Sequence, residues 1–253
     1  LKKAVLPQAG EELRAHDIAK MIDHSLLKPE LTTDEVKRGC EIAKEYDCAS
    51  VCVKPCDLAV AREILKGTDV HLSTVIAFPH GGTFTEAKLY EANKALDEGC
   101  VELDLVMNIG KMKSGEYDYV EKDLQAVIEA AHGKGAKVKV IMENFFLSDA
   151  EVKKASEIVE KAGGDWVKTS TGFAGGGATV HDLKIMRAAV STDVQVKAAG
   201  GVRTLDAALA VRALGGTRFG CTATARIMEE AMKREAAGTL FIPADVPDDA
   251  IGY

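Results

Sequence analysis

Residues 165–179 read D-W-V-K-T-S-T-G-F-A-G-G-G-A-T. Asp165–Thr169 has the look of a short buried strand, and it delivers Lys168 at its end. Four glycines follow (Gly172, Gly175, Gly176, Gly177), and a helix opens at Thr179, where Thr179 and Asp182 have capping-box spacing. A lysine at the carboxyl end of a strand, beside a glycine-rich turn, suits covalent chemistry on a carbonyl. A strand-end lysine that merely reaches solvent would leave the same local pattern, so the rest of the chain has to separate the two.

The same strand–turn–helix unit recurs on both sides of that stretch. Residues 1–9 read as an irregular leader and Glu11–Lys20 as a short helix. Strand-like runs follow at Met21–Lys28, Cys48–Lys54, His71–Phe78, Val101–Val106, Lys137–Met142, Asp165–Thr169, Asp193–Ala199 and Thr217–Gly220. Helical stretches alternate with them at Thr33–Tyr46, 55–65, Thr83–Glu98, Gly115–His132, Ser148–Ala162, Thr179–Val190, Thr204–Leu214 and Thr222–Ala236. Pro55 suits a first helical turn, and Gly99, Gly163-Gly164 and Gly215-Gly216 stop helices. Eight such units in about 215 residues predict a closed (β/α)₈ TIM barrel with a short extra N-terminal helix. The open doubly wound sheet is the structural rival. Its glycine fingerprint is missing after the first strand, which continues L-L-K-P-E-L-T. The expectation is one barrel domain over residues 1–253, with its core at about 20–236 and a C-terminal tail at 237–253.

Composition narrows the function classes. The 253 residues are 47% hydrophobic and 28% charged, with a net charge of −7 and no Lys/Arg-rich run. That balance argues against nucleic acid or an anionic membrane as partner. No apolar run reaches the roughly 18–20 residues needed to span a bilayer, and the N-terminal residues lack a secretory pattern. Six cysteines are too sparse for a disulfide scaffold. Cys48, Cys52 and Cys56 invite a metal reading, but Cys48 and Cys52 on one strand would stand about 13 Å apart, beyond the reach of one ion. Reduced cysteines in a cytoplasmic protein, and no metal site, are expected.

Alternation along the strands separates two faces. Val51, Val53, Leu103, Leu105, Val138, Val140, Met142, Val167, Val194 and Val196 make an apolar face for the helices to cover. The opposite face carries Asp23, Ser25, Cys52, Glu102, Asp104, Lys139, Glu143, Lys168, Gln195 and Lys197. In a barrel that face points inward, where branched apolar residues ordinarily stand. Buried charges have to form a hydrogen-bonded network, yet an apolar core would be as stable or more so, so chemistry is the better reason for keeping them.

Lys168 and Lys197 sit on adjacent strands about 4.8 Å apart. A second cation and burial both disfavour protonation, which makes one of the pair a usable amine nucleophile. Asp104 is a candidate proton shuttle for forming and dehydrating a carbinolamine. His24 and His80 stand alone and read as hydrogen-bonding or structural residues. The loops after strands seven and eight, A-A-G-G-V (198–202) and G-C-T-A-T (220–224), are candidates for a phosphate site closed by a helix N-terminus. Two tight turns whose glycines serve only geometry would look alike.

At these residues the chain resembles the deoxyribose-phosphate aldolase family of class I aldolases. The resemblance is carried by I-D-H-S-L-L-K-P (22–29), A-S-V-C-V-K-P (49–55), F-P-H-G (78–81), E-L-D-L-V-M-N (102–108), K-V-I-M-E (139–143), W-V-K-T-S-T-G-F (166–173), G-G-A-T-V-H-D-L (176–183) and V-K-A-A-G-G-V-R-T (196–204). It implies a cofactor-free lyase of deoxyribonucleotide catabolism and carbohydrate degradation. Its substrates would be a phosphorylated sugar and an aldehyde: 2-deoxy-D-ribose 5-phosphate, cleaved reversibly to glyceraldehyde 3-phosphate and acetaldehyde. By the same resemblance Lys168 is the Schiff-base lysine, Lys197 the second lysine and Asp104 the proton relay. Gly172, Gly200, Gly201, Gly220 and Thr222 make the phosphate site. Asp23, Ser25, Cys52, Lys139, Thr171 and Phe173 are expected to line the pocket. The chain departs from the family at Asn144-Phe145-Phe146, in the G-C-T-A-T-A loop and at Phe173, a lysine in some members. A homo-oligomer is expected, a dimer before other states. The rival readings are an aldolase with a ketone-phosphate donor and a non-catalytic sugar-phosphate-binding barrel.

Overall fold

A computed structural model describes residues 3–252; the start of the expected leader and the terminal Tyr253 lie outside the described residues. Eight parallel strands close into a barrel in sequence order. They are β1 (Ile22–Leu26), β2 (Ser50–Val53), β3 (His71–Ile76), β4 (Glu102–Val106), β5 (Lys137–Ile141), β6 (Trp166–Lys168), β7 (Gln195–Ala199) and β8 (Arg218–Cys221). β8 pairs back onto β1 through Ile22↔Phe219 and His24↔Cys221, which closes the ring. The open rival sheet is thereby excluded.

Helices stand between the strands at Thr33–Glu45, Leu58–Leu65, Thr85–Asp97, Tyr117–Gly133, Asp149–Lys161, Val180–Ala189, Leu205–Ala213 and Thr224–Ala236. Their starts are written locally. Thr32 with Glu35 and Ser148 with Glu151 form reciprocal capping boxes, and Thr179 accepts from the Asp182 N–H at 3.0 Å. The outward strand face packs under these helices: Val51, Val53, Leu103, Leu105, Val138, Val140, Val167 and Val196 are all buried in the main core. Each fully buried side chain of this kind stabilises the fold by about 1.5–3 kcal/mol, so the ring of strands and the ring of helices are locked by their shared apolar layer.

Three local differences from expectation have physical causes. The N-terminal helix covers only Ala15–Ala19, because Glu12 pairs with Phe241 in an antiparallel bridge and the Leu13 N–H donates to the Leu240 carbonyl across the same seam. The segment after Ala236 is therefore tied to the N-terminal residues, with Leu240, Ile242 and Ile251 buried. A short helix at Ile109–Lys113 intervenes after β4, started by the Asn108 side chain accepting from the Lys111 N–H. One-turn 3₁₀ segments at Pro55–Asp57 and Asn144–Phe146 lead into the next helices.

Candidate active site

Strand register brings the inward side chains together. Lys168 of β6 lies beside Lys197 of β7, and Asp104 of β4 beside Lys139 of β5. Lys168 Nζ and Lys197 Nζ both donate to one oxygen, Asp104 Oδ2, at 2.7 and 2.8 Å, while Lys139 Nζ donates to Asp104 Oδ1 at 3.0 Å. Lys197 also meets Asp23 Oδ2 at 2.5 Å, and Lys139 meets Glu102 Oε2 at 2.5 Å. All these side chains are buried. Charges this deep are tolerable because nearly every one is opposed at hydrogen-bond distance.

The cluster sets distinct protonation states. Burial would raise the Asp104 carboxyl, but the ammonium groups of Lys139, Lys168 and Lys197 hold it well below the usual carboxylate range. Burial lowers Lys168, Asp104 opposes that, and Lys197 reinforces it; the net direction is down. Lys197 is pushed down by burial but up by Asp104 and Asp23, and the net direction is up. One lysine of the pair is thus biased toward the free amine and the other toward the ammonium. Cys52 is driven up to about 11 by burial and stays a thiol, and burial takes His24 down to about 4, leaving it neutral against the Thr224 hydroxyl at 2.7 Å.

Above the lysines opens a cavity of about 440 Å³. Among the expected pocket residues, Asp23, Ser25, Cys52, Thr171 and Phe173 lie on its wall together with Lys168 and Lys197. So do Gly172, Gly200, Gly201, Gly220 and Thr222, gathered from the loops after β6, β7 and β8. The helix Thr224–Ala236 begins just after the cavity residues Cys221 and Thr222, and its N-cap, Ala223, has no side-chain cap. Leu27, Cys52 and Val75 form a small apolar cluster apart from the main core, with Phe78 against it, and Phe78 meets Phe173 edge to face at 5.4 Å. The cavity therefore offers an amine, an apolar wall and a glycine-lined rim.

Two expectations need correction. Lys139 is not on the cavity wall: it pairs in register with Trp166, two residues before Lys168, so it lies one layer below the floor. Glu143 does not join the charged cluster. β5 ends at Ile141, and Glu143 turns into the left-handed region at φ 56°, which carries its carboxylate onto the Thr171 N–H and hydroxyl at 3.1 and 2.5 Å. It thereby holds the glycine loop after Lys168 in place.

Sequence reasoning also passed over residues that matter. Arg218 at the start of β8 donates to Asp23 at 2.6 Å and to both oxygens of Glu102 at 2.8 and 3.1 Å, with its guanidinium 5.0 Å from the Trp166 ring centre. Its parity with Gly220 would have marked it as inward-facing. Lys28 and Arg203 also reach the cavity wall, from the ends of L-L-K-P and G-G-V-R-T. Gly201, at φ 86°, lies against the C-terminal segment: a Cβ there would come within 3.0 Å of the Gly252 carbonyl oxygen. Substituting Gly201 would strain its backbone and push that segment aside, whatever it did to an anion.

The chain is similar to known aldolases. The DeoC/LacD aldolase family matches residues 17–226. A deoxyribose-phosphate aldolase of Aciduliprofundum boonei is 50% identical over 215 residues, covering 85% of this chain and 97% of its own. One of Thermococcus gammatolerans is 49% identical over 221 residues, covering 87% and 98%. Among solved structures, a deoxyribose phosphate aldolase from Aeropyrum pernix, described as tetrameric, superposes with a TM-score of 0.79 at 28% identity, covering 85% of this chain and 91% of the other.

Proposed function

The chain belongs to the DeoC/LacD family of aldolases, and from that premise we infer that it is a lyase of the class I, Schiff-base kind, which reversibly cleaves 2-deoxy-D-ribose 5-phosphate into glyceraldehyde 3-phosphate and acetaldehyde. The observation that carries this reading is the single carboxylate oxygen of Asp104 shared by Lys168 and Lys197 at the floor of the cavity. A retro-aldol reaction needs an amine poised as nucleophile, a charged neighbour that keeps it so, and a route for protons.

In this reading Lys168 is the nucleophile, Lys197 the cation that biases it, and Asp104 the proton relay. The Lys168 amine attacks C1 of the open-chain sugar, and loss of water from the carbinolamine leaves an iminium. Removal of the C3 hydroxyl proton breaks the C2–C3 bond, and its electron pair passes into the iminium to give the enamine of acetaldehyde. Glyceraldehyde 3-phosphate departs; protonation of the enamine carbon and hydrolysis release acetaldehyde and restore the amine. The apolar wall of Leu27, Cys52 and Val75 suits the two-carbon fragment. Gly172, Gly200, Gly201, Gly220 and Thr222 present backbone N–H groups to the phosphate, supported by the uncapped helix at Thr224. Every step is acid–base or addition chemistry that these side chains supply, and the reading uses no cofactor.

The deciding experiment reduces the protein with borohydride in the presence of acetaldehyde and maps the modified peptide. A two-carbon adduct on Lys168, together with cleavage of deoxyribose 5-phosphate and none of fructose 1,6-bisphosphate, is the expected result. Turnover without any adduct would remove the Schiff base, and no turnover would leave only a binding barrel. A homo-oligomer, with a dimer as the first form to test by light scattering, is part of the proposal, supported by the tetrameric Aeropyrum relative. So is a cytoplasmic location, supported by six free cysteines; among the described residues no helix is long and apolar enough to cross a membrane.

A further inference from the structure

The charged cluster does not end at the cavity floor. It continues to the closed end of the barrel, where Arg218 joins Asp23 to Glu102 and lies over Trp166. Lys168, Lys197 and Arg218 stand in one row across β6, β7 and β8, each in register with the next. Every strand contributes to the surroundings of this row. β1 brings Asp23, β2 Ser50 and Cys52, β3 Ser73 and His71, β4 Glu102 and Asp104, and β5 Lys139, while Trp166 and Gln195 complete β6 and β7. His71, half-exposed at the barrel end, meets Glu102 Oε1 at 2.9 Å. On the solvent side of Arg218 stand Lys3, Glu11, Glu12, Asp17, Lys20 and Arg212, of mixed sign.

Within this linked cluster the buried charges are three carboxylates, Asp23, Glu102 and Asp104, against four cations, Lys139, Lys168, Lys197 and Arg218; Glu143 stands apart on Thr171, and Lys88 and Asp123 pair with each other outside the barrel. The interior is neutral when one cation gives up its proton. A guanidinium cannot, and Lys139 and Lys197 are each held by two or three carboxylates, whereas Lys168, among the described residues, has Asp104 as its single carboxylate partner and borders the cavity. We propose that Arg218 is a positioning residue for Lys168: by occupying Asp23 and Glu102 from the closed end, it makes the interior balance with Lys168 as an uncharged amine. This inference rests on the reading of Lys168 as the Schiff-base lysine. It adds a distant residue that never meets substrate.

Arg218 and Lys168 are two strands apart, about 10 Å, where a unit charge at an effective dielectric constant of about 20 moves a titration by about one pH unit. The test measures kcat/KM for deoxyribose 5-phosphate cleavage, and the rate of borohydride-quenched adduct formation at Lys168, from pH 6.5 to 10. Arg218→Met should move the alkaline-going rise of both upward by about one pH unit, which makes adduct formation roughly tenfold slower near neutrality. Arg218→Lys keeps the charge and should keep the midpoint, even where stability falls. Should Arg218→Met fail to fold, two further variants decide. Glu102→Gln removes a carboxylate and should move the midpoint down, and Arg218→Met/Glu102→Gln restores the balance and should bring it back. A merely structural role would lower stability in these variants without moving the midpoint. An unchanged midpoint in Arg218→Met or in Glu102→Gln, with the adduct still on Lys168, would overturn the inference alone. Absence of the adduct from Lys168 in the unmodified protein would instead overturn the aldolase mechanism on which it rests.

Discussion

Two buried lysine–aspartate pairs in this molecule have the same bond length and different meanings. Lys88 meets Asp123 at 2.7 Å between the helices Thr85–Asp97 and Tyr117–Gly133, and Lys168 meets Asp104 at 2.7 Å inside the barrel. Both lysines are pushed down by burial. Lys88, however, is closed in on every side: the Val106 carbonyl accepts from it at 3.0 Å, Thr85 donates to Asp123 at 2.7 Å, and Lys88 lines no cavity near the barrel mouth. Lys168 shares its carboxylate with a second ammonium and faces 440 Å³ of open space. A perturbed lysine is thus not a reactive one by itself. Reactivity needs a competing cation and access for substrate.

Replacing each lysine by methionine gives the largest contrast. Lys168→Met should reduce deoxyribose 5-phosphate cleavage by ~10⁴-fold or more and abolish borohydride trapping, as expected when a nucleophile is removed. Lys88→Met should still trap, but strands the Asp123 carboxylate and should cost about 3–5 kcal/mol in denaturant unfolding. Trapping lost in the Lys88 variant and kept in the Lys168 variant would reverse the comparison.

The carboxylates come next. Asp104→Asn keeps its shape but can neither hold two ammonium groups by charge nor take a proton, so kcat should fall by about 10²-fold or more. Asp123→Asn should leave kcat within about a factor of two and lower only the unfolding midpoint, as a change at a purely structural pair does. Near-normal turnover of the Asp104 variant would take that residue out of the mechanism.

A smaller effect separates charge from shape. With the Lys197 ammonium gone, protonated Lys168 loses a like-charged neighbour and keeps Asp104, so its pKa rises. The rise of kcat/KM with pH in Lys197→Leu should therefore move to higher pH, and turnover at neutrality should slow about tenfold if the midpoint moves by about one pH unit. Arginine at 197 restores the charge in a different shape and should rescue only in part. An unmoved pH profile in the leucine variant would count against the second-cation role.

The smallest effect lies at the rim. Phe173 is about half exposed on the cavity wall beside the glycine loops, and a phenyl ring cannot neutralise a phosphate. Phe173→Lys should lower KM for deoxyribose 5-phosphate by about two- to fivefold, the worth of a solvated charge pair, and leave unphosphorylated deoxyribose unchanged. Equal effects on both sugars would place the anion elsewhere. The same question cannot be put to Gly201, since a side chain there meets Gly252 first.

The barrel was legible in the chain because its signals are local. Thr32, Ser148 and Thr179 start helices through bonds to residues three positions on, and valines at alternate positions mark the face the helices cover. Parity alone put Lys168, Lys197 and Asp104 inside, and the lysine, aspartate and glycine motifs suggested which chemistry they serve. Parity stops where a strand stops. Glu143 kept the right parity in the sequence but belongs to a left-handed turn, so its carboxylate serves Thr171 and not the charged cluster. Depth along the barrel axis was equally invisible. Lys139 and Lys168 read alike in one dimension, and only the stagger of β5 against β6 puts one below the floor and the other on it. The sharing of Asp104 Oδ2, the closing of the far end by Arg218 and the seat of Gly252 on Gly201 join residues up to 195 positions apart. Within the strands the sequence alone therefore determined which residues face inward; the closed tertiary structure decided who neighbours whom, because ring closure and strand stagger are properties of all eight strands together and of no single one.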